Sequence, residues 1–240
     1  MEILFFTIVT FLAGILGTIT GFGISTVMVP VVLLFLPLPE TLLLVGVVHW
    51  FGDLWKMYFF KHGFDWKLLL YFAVPGIVMA IIGARLTFTL PANLLDRFVG
   101  LILVAYVVYF LYKPHFKLKG NFSTAFLGGG SSGLLGGISG VGGGALRAVV
   151  LTAFNLPKSE YIFLSGLTGA AIDASRIATY FLGGARIDHN LTLGLLIFIP
   201  ASFLGAFVAK KIINKISQNR FRTIIFAFLL IIGLKFLIFP

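Results

Sequence analysis

The sequence predicts an all-α, polytopic membrane protein built from two repeats of opposite topology, and three observations lead there. Only 11% of the 240 residues are charged and 59% are hydrophobic, whereas a soluble domain carries roughly a quarter charged residues. Apolar runs of membrane-spanning length recur along the chain. The second half repeats the first, with its basic loops displaced by one position. Mean hydropathy is +1.08, so a water-soluble globule is excluded. No charge block or low-complexity tail suggests disorder.

A spanning helix needs about 20 apolar residues. Runs of that kind cover 41–60, 67–88, 94–112, 161–182, 190–209 and 222–239. Two further stretches, 3–36 and 122–155, exceed one span and are interrupted by glycine, at Gly21-Phe22-Gly23 and at Gly140-Val141-Gly142-Gly143-Gly144. Each reads as a helix, a glycine-rich break and a shorter helix of about 13 residues that cannot cross unaided. Each repeat is therefore expected to hold one broken helical hairpin and about three full spans, or 8–10 membrane segments in all. Met1-Glu2 supplies no positive n-region and no small-residue cleavage box follows, so the first run is expected to stay as a helix.

The repeat is read residue by residue. Gly14, Gly17, Gly21 and Gly23 align with Gly133, Gly136, Gly140 and Gly142. After a one-residue insertion, Glu40, Gly46, Asp53 and Lys56 align with Glu160, Gly166, Asp173 and Arg176. Asp65 and Pro75 correspond to Asp188 and Pro200 at larger offsets. Residues 1–112 form the first repeat, 113–121 a basic linker (Lys113, Lys117 and Lys119 around Pro114 and His115), and 122–240 the second repeat. Lys56, Lys61 and Lys67 crowd the loop at 61–66. The dense cluster Lys210, Lys211, Lys215, Arg220 and Arg222 falls one loop later in the second half. By the positive-inside tendency these loops and the linker are cytoplasmic, which puts equivalent loops on opposite sides and inverts the repeat. Membrane-flank placement also accounts for the net charge of +10, since lipid headgroups attract such residues and no basic stripe suited to nucleic acid is present. A multi-pass protein of the cell membrane is expected, in contact with lipid and without a nucleic-acid partner.

Of the eight acids, Glu2, Glu40, Asp65, Asp96, Glu160 and Asp188 read as terminal or loop residues. Asp53 and Asp173 lie inside apolar spans, each with a cation three residues on, Lys56 or Arg176. Residues three and four apart share a helix face, so Gly46, His49, Asp53 and Lys56 make one stripe and Gly166, Gly169, Asp173 and Arg176 another. A charge near mid-bilayer costs at least about 2.5–3.5 kcal/mol on insertion scales, so it persists where it faces a partner, a bundle interior or water. The plain alternative is a structural ion bridge whose cation snorkels to the headgroups, an outcome that suits Lys56, nearest its span end. His49 reads either as a titrating group or as a packed neutral imidazole.

The glycine breaks form the second constellation. Where a helix restarts, free N–H groups and a partial positive charge make an anion site, and irregular backbone at membrane depth is tolerated where it lines a cavity. Thr20, Ser25, Thr26 and Ser139 flank the breaks, and Arg147, one turn into the second restarted helix, offers a guanidinium fork suited to an oxyanion. Expected substrate contacts are Arg147, Arg176, Gly142, Gly143, Gly144, Ser139, Ser25, Thr26 and Lys56; Asp173, Asp53 and His49 are expected to hold the cations or exchange a proton. The outlying Gly14, Gly17, Gly133 and Gly136 suit close helix packing. The glycine runs lack the Gly-Lys-Ser/Thr ending and strand context of nucleotide loops. No cysteine is present; His62, His115 and His189 lie in or beside loops without metal-ligand spacing, and no hydrolase triad or His-Glu-x-x-His helix occurs, so no cofactor, no metal and no enzymatic activity are expected. Trp66, Tyr71 and Tyr112 read as an interfacial belt.

With these features in order, the chain resembles the TauE/SafE sulfite exporter family from about residue 8 to 238. The resemblance is carried by Gly140-Val141-Gly142-Gly143-Gly144 followed by Leu156-Pro157, and by Phe64-Asp65-Trp66-Lys67 leading into Gly83-Ala84-Arg85-Leu86. It implies a secondary transporter exporting sulfite, an organosulfonate or a related sulfur anion. The chain departs from the family pattern at Gly21-Phe22-Gly23-Ile24-Ser25, which lacks a triple glycine. It departs again at Arg147 and Val149, where Pro30 of the first repeat keeps the usual apolar run to proline, and at the polar His49, Asp53 and Lys56. The alternatives are an anion channel and a non-transporting membrane subunit whose charges bridge helices. The anion, the direction, proton coupling and a homodimeric state are left open by the sequence.

Overall fold

In hydrocarbon a chain satisfies its own backbone groups only within helices or closed barrels, and the described residues are helical with no strand. The computed structural model describes residues 2–20, 22–60, 63, 65–112, 120–152, 154, 156–212, 230, 231, 233, 234, 237 and 238. Gly21, Lys61, His62, Phe64, Lys113, Pro114, His115, Lys117, Lys119, Lys215, Arg220 and Arg222 lie outside them, as do most of the linker and of the expected span 222–239. The side chains of Glu2, Thr20, Asp96 and Val149 are likewise outside.

Nine helices occur among the described residues: α1 (Glu2–Thr20), α2 (Ser25–Val32), α3 (Leu38–Phe59), α4 (Trp66–Thr89), α5 (Ala92–Tyr112), α6 (Phe122–Ser139), α7 (Gly143–Thr152), α8 (Lys158–Leu182) and α9 (His189–Ile212). The order long, short, long, long recurs from α1–α4 to α6–α9. Start signals recur with it. Pro37 and Pro157 precede α3 and α8, where a fixed φ suits helix entry. The Asp65 carboxylate accepts from the Lys67 and Leu68 N–H groups at the head of α4, and Asp188 accepts from Asn190 N–H at the head of α9, so these two loop acids are N-caps. Glu40, Asp96 and Glu160 stand inside α3, α5 and α8 rather than in loops.

The restarted helices are shorter than expected: α2 has 8 residues and α7 has 10. The second break is also narrower, because Gly143 and Gly144 already form the first turn of α7. What turns the chain is Gly140 at φ +64 and Gly142 at φ +81, matched in the first half by Gly23 at φ +89. Side-chain-bearing residues avoid that region.

Packing is reciprocal. Helix α1 lies mainly on α9, α6 mainly on α4, and α3 mainly on α8, so each long helix of one half is held by a helix of the other. The α4–α6 contact is closest: a Cβ at Gly129 would stand 2.1 Å from the Phe72 carbonyl, and one at Gly133 would stand 2.0 Å from that of Gly76. Without a hydrophobic driving force between helices in lipid, close backbone approach of this kind carries association. Two apolar cores result, one built chiefly on α1, α2 and α3 and the other on α4, α7 and α8. Outward faces are apolar as well: Leu70, Val74, Val78 and Ile82 form an exposed stripe along α4 at four-residue spacing. Trp66, Tyr71 and Tyr112 are also exposed. A protein that is apolar inside and out is solvated by lipid. Helices α4 and α9 are long and apolar enough to cross a membrane on length and composition alone; α3 and α8 have the length, at 22 and 25 residues, but carry the charges of the site.

Gly133→Ala is expected to destabilise the detergent-solubilised protein by about 1–3 kcal/mol, the usual cost of overpacking, seen as a lowered unfolding midpoint. Gly130→Ala, whose Cβ would meet its nearest neighbour at 3.5 Å, should leave the midpoint unchanged or raise it.

Candidate functional site

Six ionisable side chains meet at the crossing of α3, α7 and α8: His49, Asp53 and Lys56 from α3, Arg147 from α7, Asp173 and Arg176 from α8. None is more than 3% exposed. Lys56 Nζ donates to Asp53 Oδ1 at 2.7 Å, and Arg176 Nε donates to Asp173 Oδ1 at 2.7 Å; both pairs span one helical turn. Two bridges then join the halves. Arg147 Nη2 stands 3.8 Å from Asp53 Oδ2, and His49 lies between the carboxylates, with Nδ1 3.0 Å from Asp173 Oδ2 and Nε2 3.7 Å from Asp53 Oδ1. Arg147 Nε also reaches the Ser165 hydroxyl at 3.3 Å.

The two glycine stripes let this happen. On α8, a Cβ at Gly169 would stand 2.0 Å from Asp53 Oδ2 and 2.7 Å from Arg147 Nη1, and one at Gly166 would press on the Asp53 carbonyl. On α3, Gly46 faces Ile177 and the Arg176 guanidinium. Each glycine opens a gap through which the opposite helix delivers its charge.

A cavity of about 10 Å³ adjoins the cluster, room for roughly one water molecule. His49, Arg147, Asp173 and Arg176 line it, together with Ser25 and, from the second broken hairpin, Ser132, Gly136, Gly140, Gly143 and Gly144. The two breaks lie close beside it. A Cβ at Gly144 would stand 1.8 Å from the Phe22 carbonyl, and one at Gly23 would stand 1.9 Å from His49 Nε2.

Of the residues expected to contact a substrate, Arg147, Arg176, Gly143, Gly144 and Ser25 line this cavity, and Lys56, Ser139, Thr26 and Gly142 do not. Lys56 does not snorkel: it is fully buried, because Asp53 one turn away satisfies its ammonium inside the bundle. Ser139 is spent on its own break, donating to the Leu135 and Val141 carbonyls and accepting from Val141 N–H. Thr26 donates to the Phe22 carbonyl. His49 is in the cluster, whereas His189 heads α9 at the surface. Ser132, Ser165, Gly136, Gly140 and Ile172 adjoin the site without having been singled out as substrate contacts. Among them Gly140 carried a sequence signal as part of the break, and Gly136 carried one as a repeat glycine read as helix packing, whereas it lines the cavity.

Electrostatics give the site its character. At formal charge three cations oppose two carboxylates, an excess of one positive charge among buried side chains. Five buried polar atoms there, His49 Nε2, Asp53 Oδ2, Arg147 Nη2, Asp173 Oδ2 and Arg176 Nη1, make no hydrogen bond of good geometry. Ligand atoms of His49, Asp53 and Asp173 lie within 4.8 Å of one another, close enough to share a metal ion. The same carboxylates, however, already face Lys56, Arg147 and Arg176, whose charges repel a cation. An anion meets the opposite balance: it adds the missing negative charge and supplies acceptors to two unfilled guanidinium nitrogens.

Breaking one partner of a buried pair leaves an uncompensated charge, at a cost of about 3–5 kcal/mol. Asp173→Ala is therefore expected to lower stability by that order in denaturant titration of the solubilised protein. Asp173→Leu combined with Arg176→Met is expected to recover most of it.

No curated protein and no solved structure matches the chain. A sequence model that describes a whole family does, spanning both breaks and the cluster between them, and by that match over residues 6–236 the chain belongs to the sulfite exporter TauE/SafE family of membrane transporters.

Proposed function

We propose that this protein is a secondary transporter that exports a small sulfur oxyanion, sulfite or a compact organosulfonate, across the cell membrane, with Arg147 and Arg176 as the anion-binding residues. The observation that carries the reading is the excess of cations over carboxylates in the buried cluster, with one nitrogen of each guanidinium unfilled. Isolated buried charge is expensive, and a bound oxyanion removes that cost by completing the balance. The first turn of α7, at Gly143 and Gly144, adds backbone N–H groups that have no partner within their own helix, and the helix dipole there favours negative charge.

Alternating access is supported by two features. The cavity, with room for roughly one water molecule, is too small for a four-atom anion as it stands, so the two broken hairpins would have to part to admit substrate. The reciprocal packing of α1 on α9 and α6 on α4 is what two equivalent halves exchanging helices produce, and halves of inverted topology can open the same site to either side by rocking. Nothing in the sequence provides a nucleotide-binding loop, so an ion or substrate gradient, or a partner, would supply the energy. Asp53 and Asp173 would position Lys56 and Arg176 rather than touch the anion, and Ser139 and Thr26 would hold the breaks in shape.

Reconstituted into liposomes, the protein should move radiolabelled sulfite with saturable kinetics. A hydrogen bond from a charged group is worth about 1.5–3 kcal/mol, so Arg147→Ala and Arg176→Ala should each lower flux by about tenfold or more while the variants still elute as monodisperse protein. Flux that rises linearly with concentration would identify a channel, and full flux in both variants would remove the arginines from the site.

A further inference from the structure

The position of His49 carries an inference about what travels with the anion. It rests on the reading of the cluster as an anion site. His49 Nδ1 has two neighbours of opposite kind: the Asp173 carboxylate at 3.0 Å, which can only accept, and Arg176 Nη2 at 3.3 Å, which can only donate. One ring nitrogen cannot serve both. In the neutral ring with its proton on Nε2, Nδ1 accepts from Arg176 Nη2; when the ring takes a second proton, on Nδ1, the imidazolium donates to Asp173 Oδ2, and the Arg176 nitrogen is released toward the cavity that Arg176 and His49 both line.

We propose that His49 is the proton site of this transporter, and that the protein binds a divalent oxyanion together with one proton taken from solution onto Nδ1. Charge balance leads to the same place. With a neutral imidazole, Lys56, Arg147 and Arg176 exceed Asp53 and Asp173 by one charge, which a monoanion completes. With an imidazolium the excess is two, which a dianion completes. The loaded cluster is neutral in both cases, so cargo plus proton always sums to one negative charge. Linkage makes the coupling mutual: a dianion, which would leave the unprotonated cluster one charge negative, favours the ring's proton, and the proton favours the dianion by the same factor, whereas a monoanion already balances the unprotonated cluster.

The groups facing His49 come from each element around it. Asp53 and Lys56 lie on its own helix, Asp173 and Arg176 on α8, and Arg147 on α7; Ser25 of α2 and Ser132 of α6 add hydroxyls to the cavity, and the backbone of Gly23 closes over Nε2. The two carboxylates belong to opposite halves of the chain. A proton on His49 therefore strengthens the bridge between α3 and α8 at the same moment that it frees a guanidinium nitrogen, which ties proton binding to the interface that must rearrange.

The test uses anions whose own charge does not vary between pH 5.5 and 8.5: sulfate as the dianion and methanesulfonate as the monoanion. Sulfite titrates within this range and would blur the result. Binding to the solubilised wild-type protein is measured by calorimetry in two buffers of different ionisation enthalpy. Sulfate is expected to bind about tenfold more weakly per pH unit on the alkaline side, with uptake of about one proton, while methanesulfonate binding stays flat. In His49→Gln the pH slope for sulfate is expected to vanish, whatever the absolute affinity. Sulfate binding that is flat with pH and takes up no proton in the wild type would overturn the proton site and leave the anion reading standing. A sulfate slope that persists in His49→Gln would do the same. Failure of the wild type to bind either anion at any pH would overturn both.

Discussion

An excess of buried positive charge governs this protein. Lys56, Arg147 and Arg176 are enclosed with only Asp53 and Asp173 to balance them, and the penalty for removing ions from water is repaid only by good geometry and filled hydrogen bonds. Much of the surrounding architecture serves that repayment. The pairs Asp53–Lys56 and Asp173–Arg176 sit one turn apart, so each carboxylate neutralises a cation of its own helix before the helices meet. Arg147 has no acid on α7 and borrows Asp53 from α3. Shared between two cations, Asp53 holds Lys56 at 2.7 Å and leaves Arg147 at 3.8 Å. The shortfall falls on guanidinium nitrogens at the cavity, which is where an anion would complete the set.

The same constraint explains the glycines. Charge from one helix reaches charge from another at 3–4 Å only where no side chain intervenes, and Gly46, Gly166 and Gly169 clear those lines of approach. The glycines of α4 and α6 do a different job, bringing backbones together where no charge is involved. Small residues thus serve two ends in one chain, electrostatic access at the centre and van der Waals contact at the flanks. Period alone cannot separate these, since both place glycine at intervals of three or four.

This bears on what the sequence made legible. Long apolar runs located most helices to within a few residues, because span length depends on local composition; that proline heads α3 and α8 and that aspartate caps α4 and α9 emerged only from the structure. The charged pairs were readable for a related reason: Asp and Lys or Arg three apart inside an oily run have few places to go. What could not be read was which hydroxyls would be consumed. Ser139 and Ser25 both flank breaks, yet the Ser139 hydroxyl is committed to the Leu135 and Val141 carbonyls while Ser25 lines the cavity, a distinction set by how each break folds. Burial of Lys56 was equally hidden. Its distance from the span end suggested snorkelling, but an ammonium with a carboxylate one turn away has no need of the headgroups. Ser165 was invisible because its contact with Arg147 depends on the angle between α7 and α8, which no pattern in either segment encodes.

The lengths of the restarted helices carry a mechanical consequence. At 8 and 10 residues, α2 and α7 are too short to cross the membrane or to be held firmly by their own hydrogen bonds. They are held by what they touch: α2 by α1 and α3, and α7 by α6 and α8, with a small contact between the two where the breaks cross. Arg147 rides on α7 and His49 on α3, against which α2 packs, so a charge change in the cluster acts directly on the two short helices. The long helices meet backbone to backbone, a contact that tolerates sliding poorly and rocking as a unit well. On the proposed reading, neutralising the cluster would favour a different placement of the short helices from leaving it unneutralised, and a bound ion would bias access to the site through them.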